Sequence, residues 1–181
     1  MQLAVMDLVR ARWSAEIHNE WIRNLLINRP DLSLEQLTKT KDLMNSHVRD
    51  AVVTNYEPLI PSLTLPDPND RHVLAAAIRC QADLIITFNL KDFPKKTLAL
   101  YDIEAQHPDE FILDLLDLQP IEVCRAAERV RQRLRNPPID AEAYLGTLLR
   151  QGLPKTVSLM RELGYAEGFG VDVILCGSSL W

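Results

Sequence analysis

One stretch limits the fold more than any other: "PDPNDRHVLAAAIRCQADLIITFNLKDF", residues 66–93. Asp67 before Pro68 has the form of an N-cap and first helical residue, because the carboxylate accepts a free backbone N–H and proline lacks one that would go unsatisfied. The helix that follows is predicted to run to about Gln81. Its inward face is Val73, Leu74, Ala77 and Ile78, with Arg71 and Arg79 in solvent. Leu84-Ile-Ile-Thr87 is then a continuous β-favouring apolar run, the pattern of a parallel strand covered on both faces. A short strand over 50–54 upstream completes a strand–helix–strand unit, whose crossover should be right-handed. Residues 55–66, with three prolines, read as an irregular connection at the molecular edge. The expected class is α/β, a parallel sheet flanked by helices.

In such a sheet, ligands bind beyond the carboxyl ends of the strands. Asp70 falls in the first turn of the predicted helix, and Asp92 lies just past Leu84–Thr87, in the loop Asn89-Leu-Lys-Asp92. Both should open onto one edge of the sheet. Carboxylates gathered without His or Cys suit a hard cation such as Mg2+ or Mn2+. Each residue also has a local explanation: Asp67 as a cap, Asp70 as a first-turn acid favoured by the helix dipole, and Asp92 and Asn89 as turn formers. Glu20 is a further candidate, its alternative being a solvated pair with Arg23. Spacing alone leaves these readings open. His18, His47, His72 and His107 have no ligand spacing and read as surface or polar core residues. Arg125, Arg129, Arg131, Arg133 and Arg135 make one helix locally basic, either as a solvated face or as an RNA-facing patch.

The rest of the chain reads as helical. Residues 1–12 carry apolar positions at near-helical spacing. Ser14 caps a helix running to about Ile27, with the stripe Ile17, Trp21 and Leu25, and Ser33-Leu-Glu-Gln36 has capping-box form for a third helix with the stripe Leu34, Leu37, Met44 and Val48. After Phe93 the pattern is chiefly helical, over 108–118 with the stripe Phe111, Leu115 and Leu118, then 120–135, 141–151 and 155–163. The glycine-rich tail 164–181 has no clear place in the fold. Cys80, Cys124 and Cys176 are far apart and odd in number, so they form neither a metal knuckle nor a disulfide framework. A net charge of −5 argues against a general polyanion binder, and no apolar run approaches membrane-spanning length, so a cytoplasmic protein is expected.

The segment "DRHVLAAAI" followed by "TFNLKDF" resembles the carboxyl half of PIN domains, the metal-dependent ribonuclease fold of many bacterial toxin–antitoxin toxins, with both motifs in order and at the family's spacing. "RWSAEIHNEWIRNLL" is similar to the PIN helix that contributes a Glu to the acidic site. The resemblance covers roughly residues 3–105. It implies a PIN-like domain over 1–105, a helical extension over 106–163, and a site of Glu20, Asp70 and Asp92 holding Mg2+ or Mn2+. Asn89 would orient that site and Asp67 would neighbour it. It further implies RNA as substrate, and an antitoxin protein and a second copy of the chain as partners. PIN domains open with a central strand ending in an Asp, whereas this chain starts within the first helix. One ligand and the middle strand are therefore expected to be missing from the sequence as given, whether it begins at an internal methionine of a longer protein or is a truncated relative, and Asp7, on a helix, does not replace that ligand. This departure sustains an alternative, a non-catalytic PIN-like protein that binds RNA or a protein partner.

Overall fold

The computed structural model describes residues 1–167. Cys176 and the β-like run of the tail lie outside the described residues. The chain opens with a short helix, α1 (Gln2–Val5), that stops where Asp7 takes a left-handed φ of 56°. Ser14 then caps α2 (Ala15–Asn28), its hydroxyl accepting the Ile17 N–H at 3.2 Å. Ser33 and Gln36 complete the reciprocal capping box of α3 (Leu34–His47). These starts follow local chemistry: a short oxygen-bearing side chain satisfies an N–H that has no partner within the helix.

The expected strand over 50–54 is not formed as a strand. Val52 makes an isolated parallel bridge with Trp13, through Trp13 N–H to Ala51 O and Val53 N–H to Trp13 O, both at 2.8 Å. β-Branched residues favour extended backbone, but a ladder needs a partner of equal length, and Ser14 already turns into α2. The following connection is not at the molecular edge either. It winds through a 3-10 helix, Glu57–Ser62, and buries Tyr56, Leu63 and Leu65 in the main core.

Asp67 caps a 3-10 turn, Pro68–Asp70, and α4 (Arg71–Cys80) begins only after it. Leu74 and Ala75 on α4 are fully buried, and Gln81 closes the helix in the left-handed region at φ 54°. Arg79 is exposed as expected, whereas Arg71 is half-buried with its Nε unpartnered among the described residues.

The described sheet has two parallel strands, β1 (Leu84–Ile86) and β2 (Glu104–Gln106), joined through α5 (Lys95–Leu98). Strand β2 is an extended segment, not singled out from sequence, within the chiefly helical pattern expected after Phe93. β1 is covered on one face only: Ile85 is buried, while Leu84 and Ile86 are 38% and 40% exposed. Its one neighbour in the described sheet is β2, so the strand–helix–strand unit is β1–α5–β2 rather than one built on residues 50–54.

Four helices follow: α6 (Pro108–Leu118), α7 (Pro120–Arg133), α8 (Ala141–Arg150) and α9 (Pro154–Glu162). The buried apolar position of α6 is Leu116, with Leu118 left 76% exposed, so the α6 stripe is rotated from the one expected. A second core, centred on Leu116, Cys124, Leu145, Val157 and Met160, joins these helices. Leu3 and Leu8 at the start of the chain pack against it. Asp109, 4% exposed, ties α6 to α9 by accepting the Lys155 and Thr156 N–H groups at 3.0 and 2.9 Å. Burial pushes its carboxyl up, but these hydrogen bonds outweigh that and hold it below the usual carboxylate range. Two thiols are described. Cys124 is buried in the second core and pushed up to about 11, while Cys80 is half-buried and also raised, both chiefly by burial. No helix among the described residues is long and apolar enough to cross a membrane.

Candidate acidic metal centre

Local chain geometry brings three carboxylates together. Asp67 precedes the Pro68–Asp70 turn, its Oδ1 accepting the Asn69 N–H at 2.8 Å, while the Asp70 N–H donates to Asp67 O at 3.2 Å. Asp70 sits where the 3-10 turn becomes α4 and makes no side-chain cap bond, which leaves its carboxylate for other partners. Asp92 ends a 3-10 turn, Leu90–Asp92, just beyond β1. One carboxylate oxygen from each of Asp67, Asp70 and Asp92 lies within 4.8 Å of the others, and all three residues are half-buried. Asp67 is therefore both a cap and a member of the cluster. Asn89 Nδ2 donates to Asp92 Oδ2, and the Asn89 N–H donates to Thr87 Oγ1 at 3.0 Å, so the turn that follows β1 fixes the orientation of Asp92.

The electrostatics fit a gathering of like charges. Burial first, then the carboxylates of Asp67, Asp92 and Glu20, push Asp70 above the usual carboxylate range, while His72 acts in the other direction. Glu20 is close enough to bear on Asp70 but is not one of the three clustered groups. Its Oε1 lies 3.2 Å from His72 Nε2, and Glu16 Oε2 lies 3.7 Å from His72 Nδ1. His72, 4% exposed, was not distinguished by spacing, since its place between two α2 glutamates arises only when α2 and α4 pack. An open cleft of about 780 Å³ adjoins the site, lined in part by Glu20, Asp70, Ile17, Val73, Leu84 and Ile86. On the basic helix, Arg125 pairs with Glu122 and Arg131 with Glu128, while Arg129 and Arg133 are exposed; the helix ends at Arg133, so Arg135, also exposed, lies beyond it.

Oxygen donors alone, on three side chains gathered within 4.8 Å of one another, match the preference of Mg2+ and Mn2+ for carboxylates and water. The sequence profile of the PIN domain matches residues 1–91. The chain belongs to the PIN domain family. A second profile, described as the VapC50 C-terminal domain, matches residues 108–162, the region of α6 to α9. A protein of Mycobacterium tuberculosis named "Putative ribonuclease VapC50" is 40% identical over 108 residues, covering 59% of this chain and 63% of that protein. The match thus spans less than two thirds of the relative's length. No solved structure matched this PIN domain chain.

Proposed function

We propose that this PIN domain protein is a divalent-cation-dependent endoribonuclease of the toxin type, hydrolysing phosphodiester bonds in RNA. The observation that carries the reading is the convergence of the Asp67, Asp70 and Asp92 carboxylates at the carboxyl end of β1. Family membership supports it, as does the printed name of the mycobacterial relative. An antitoxin protein and a second copy of the chain are the proposed partners.

In this reading Asp70 and Asp92 hold the cation, Asp67 flanks them, and Glu20 completes the acidic set. When bound, Mg2+ or Mn2+ would lower the pKa of a water so that it can give up a proton and serve as the nucleophile toward phosphorus, and would offset charge on the leaving oxygen. The protein groups set the geometry. Asn89 locks the Asp92 carboxylate, and the Asp67 bond to the Asn69 N–H fixes the turn that presents Asp70. Burial and then the neighbouring carboxylates raise Asp70, and a cation offsets both effects on its charged form, so metal binding and carboxylate ionisation favour each other.

The test is cleavage of single-stranded RNA in Mn2+ by the chain and by Asp70→Asn, with thermal stability followed as Mn2+ is added. The parent should cleave and should gain stability as ln(1 + [Mn2+]/Kd). Asp70→Asn should lose about 10²–10³-fold in rate, the scale of deleting one electrostatic contact to the transition state. Equal rates for parent and variant would remove Asp70 from the site. Neither cleavage nor a stability gain in the parent would favour the non-catalytic RNA- or protein-binding alternative.

A further inference from the structure

His72 is the outlying group beside the acidic site. Its ring is 4% exposed, and neither Nδ1 nor Nε2 has a hydrogen-bond partner among the described residues. The other described histidines differ. His18 contacts Asn45 Oδ1 through Nε2 and accepts from Trp21 Nε1 at Nδ1, His47 Nδ1 meets the Leu43 carbonyl, and His107 Nδ1 accepts the Asp109 N–H. A buried imidazole left without partners is costly unless something else satisfies it.

Its surroundings suggest what does. Glu16 and Glu20 are one turn apart on α2, and each faces a different nitrogen of the ring. The 3.2 Å between Nε2 and Glu20 Oε1 lacks the angle of a hydrogen bond. It does match two neighbouring ligands of one ion. Bonds of about 2.0–2.2 Å, set about 90–110° apart, place the donor atoms about 3.0–3.5 Å from each other. Glu16, on the Nδ1 side, stands where a carboxylate commonly orients a metal-bound imidazole.

We propose that His72 Nε2 and Glu20 Oε1 form a mixed nitrogen–oxygen position for a divalent transition cation such as Mn2+ or Zn2+, beside the three aspartates. Glu16 is its orienting residue. Imidazole favours such ions over Mg2+, so the position adds a selectivity that an all-carboxylate cluster lacks. Water would fill the remaining ligand places, since the Glu20 side chain is half-buried and borders an open cleft. The inference rests on the acidic centre being a cation site, and the test separates the two claims.

The probe is Mn2+ alone, added below stoichiometry to the full chain and examined by pulsed electron paramagnetic resonance. A nitrogen-14 modulation on Mn2+ is expected from the parent and from Asp70→Asn, and its loss is expected in His72→Gln. Because His72 is buried and its replacement can disturb folding, Glu20→Gln is the second variant. This isosteric change at a less buried residue should also remove the modulation and weaken Mn2+ at that position about tenfold or more. Bound Mn2+ without nitrogen coupling in the parent, or coupling that survives Glu20→Gln, overturns this inference and leaves the aspartate site standing. Failure of Mn2+ to bind at all overturns both.

Discussion

Asp70 has a folded-state environment that favours its protonated form, through burial and then the charges of Asp67, Asp92 and Glu20. A carboxyl raised in this way contributes stability that is fully present below its unfolded value, about 3.9, and is lost as pH rises through the folded value. At neutral pH the ionised group therefore destabilises the metal-free fold. Metal-free Asp70→Asn should melt above the parent at pH 7, and the gap should narrow as the pH approaches 4. Adding Mn2+ should reverse the ranking, because the parent alone then gains the full binding energy. Calorimetry of both proteins across pH, with and without Mn2+, checks each sign. A parent that melts above the variant without metal at pH 7 would contradict the repulsive picture.

At the scale of elements, the α6–α9 contact depends on Asp109 more than on any surface pair. Asp109→Ala strips partners from two backbone N–H groups at the start of α9, one of them on the buried Thr156. The expected loss is about 2–4 kcal/mol, or roughly 4–16 °C in Tm for a chain of this size. The sign of the pH effect is opposite to that of Asp70. The Asp109 carboxyl is held low, so its stabilisation is present above the ordinary range and lost as pH falls through the folded value. Denaturant melts of the parent and variant should converge in acid.

The same scale shows what could be read from sequence. The starts of α2, α3 and the Pro68 turn were legible because Ser14, Ser33 with Gln36, and Asp67 each act on an N–H two or three residues away. The acidic residues were legible as candidates, but their 4.8 Å convergence was not, since it depends on how the β1 turn meets the start of α4. Glu104-Ala-Gln106 carries no strand signal and becomes β2 only by pairing with β1. The run at 50–54 has the opposite history: strong β-propensity, and a single bridge to Trp13. His72 was hidden for the same non-local reason, its orphaned ring being a product of the α2–α4 contact.

Across the whole molecule, the two ends of the described chain share a core. Leu145, fully buried on α8, belongs to the cluster against which Leu3 and Leu8 pack. Leu145→Ala should cost about 2–5 kcal/mol through lost burial and the remaining cavity. Hydrogen exchange should then quicken in α1 as well as in α6 to α9, although α1 is far from the mutation in sequence. Protection of α1 that is unchanged by the substitution would show that the start of the chain is held independently.

The unreactive state of Cys124 gives this second core a built-in clock. Only a thiolate attacks an alkylating reagent, and this thiol is both shielded and raised to about 11. At neutral pH its modification must wait for the helices around it to part. Cys80, half-buried on α4, samples openings of the other core. Peptide-resolved alkylation rates should therefore report two opening free energies from one unmutated protein, with Cys124 the slower. Added Mn2+ should slow Cys80, whose helix begins beside the acidic site, more than Cys124.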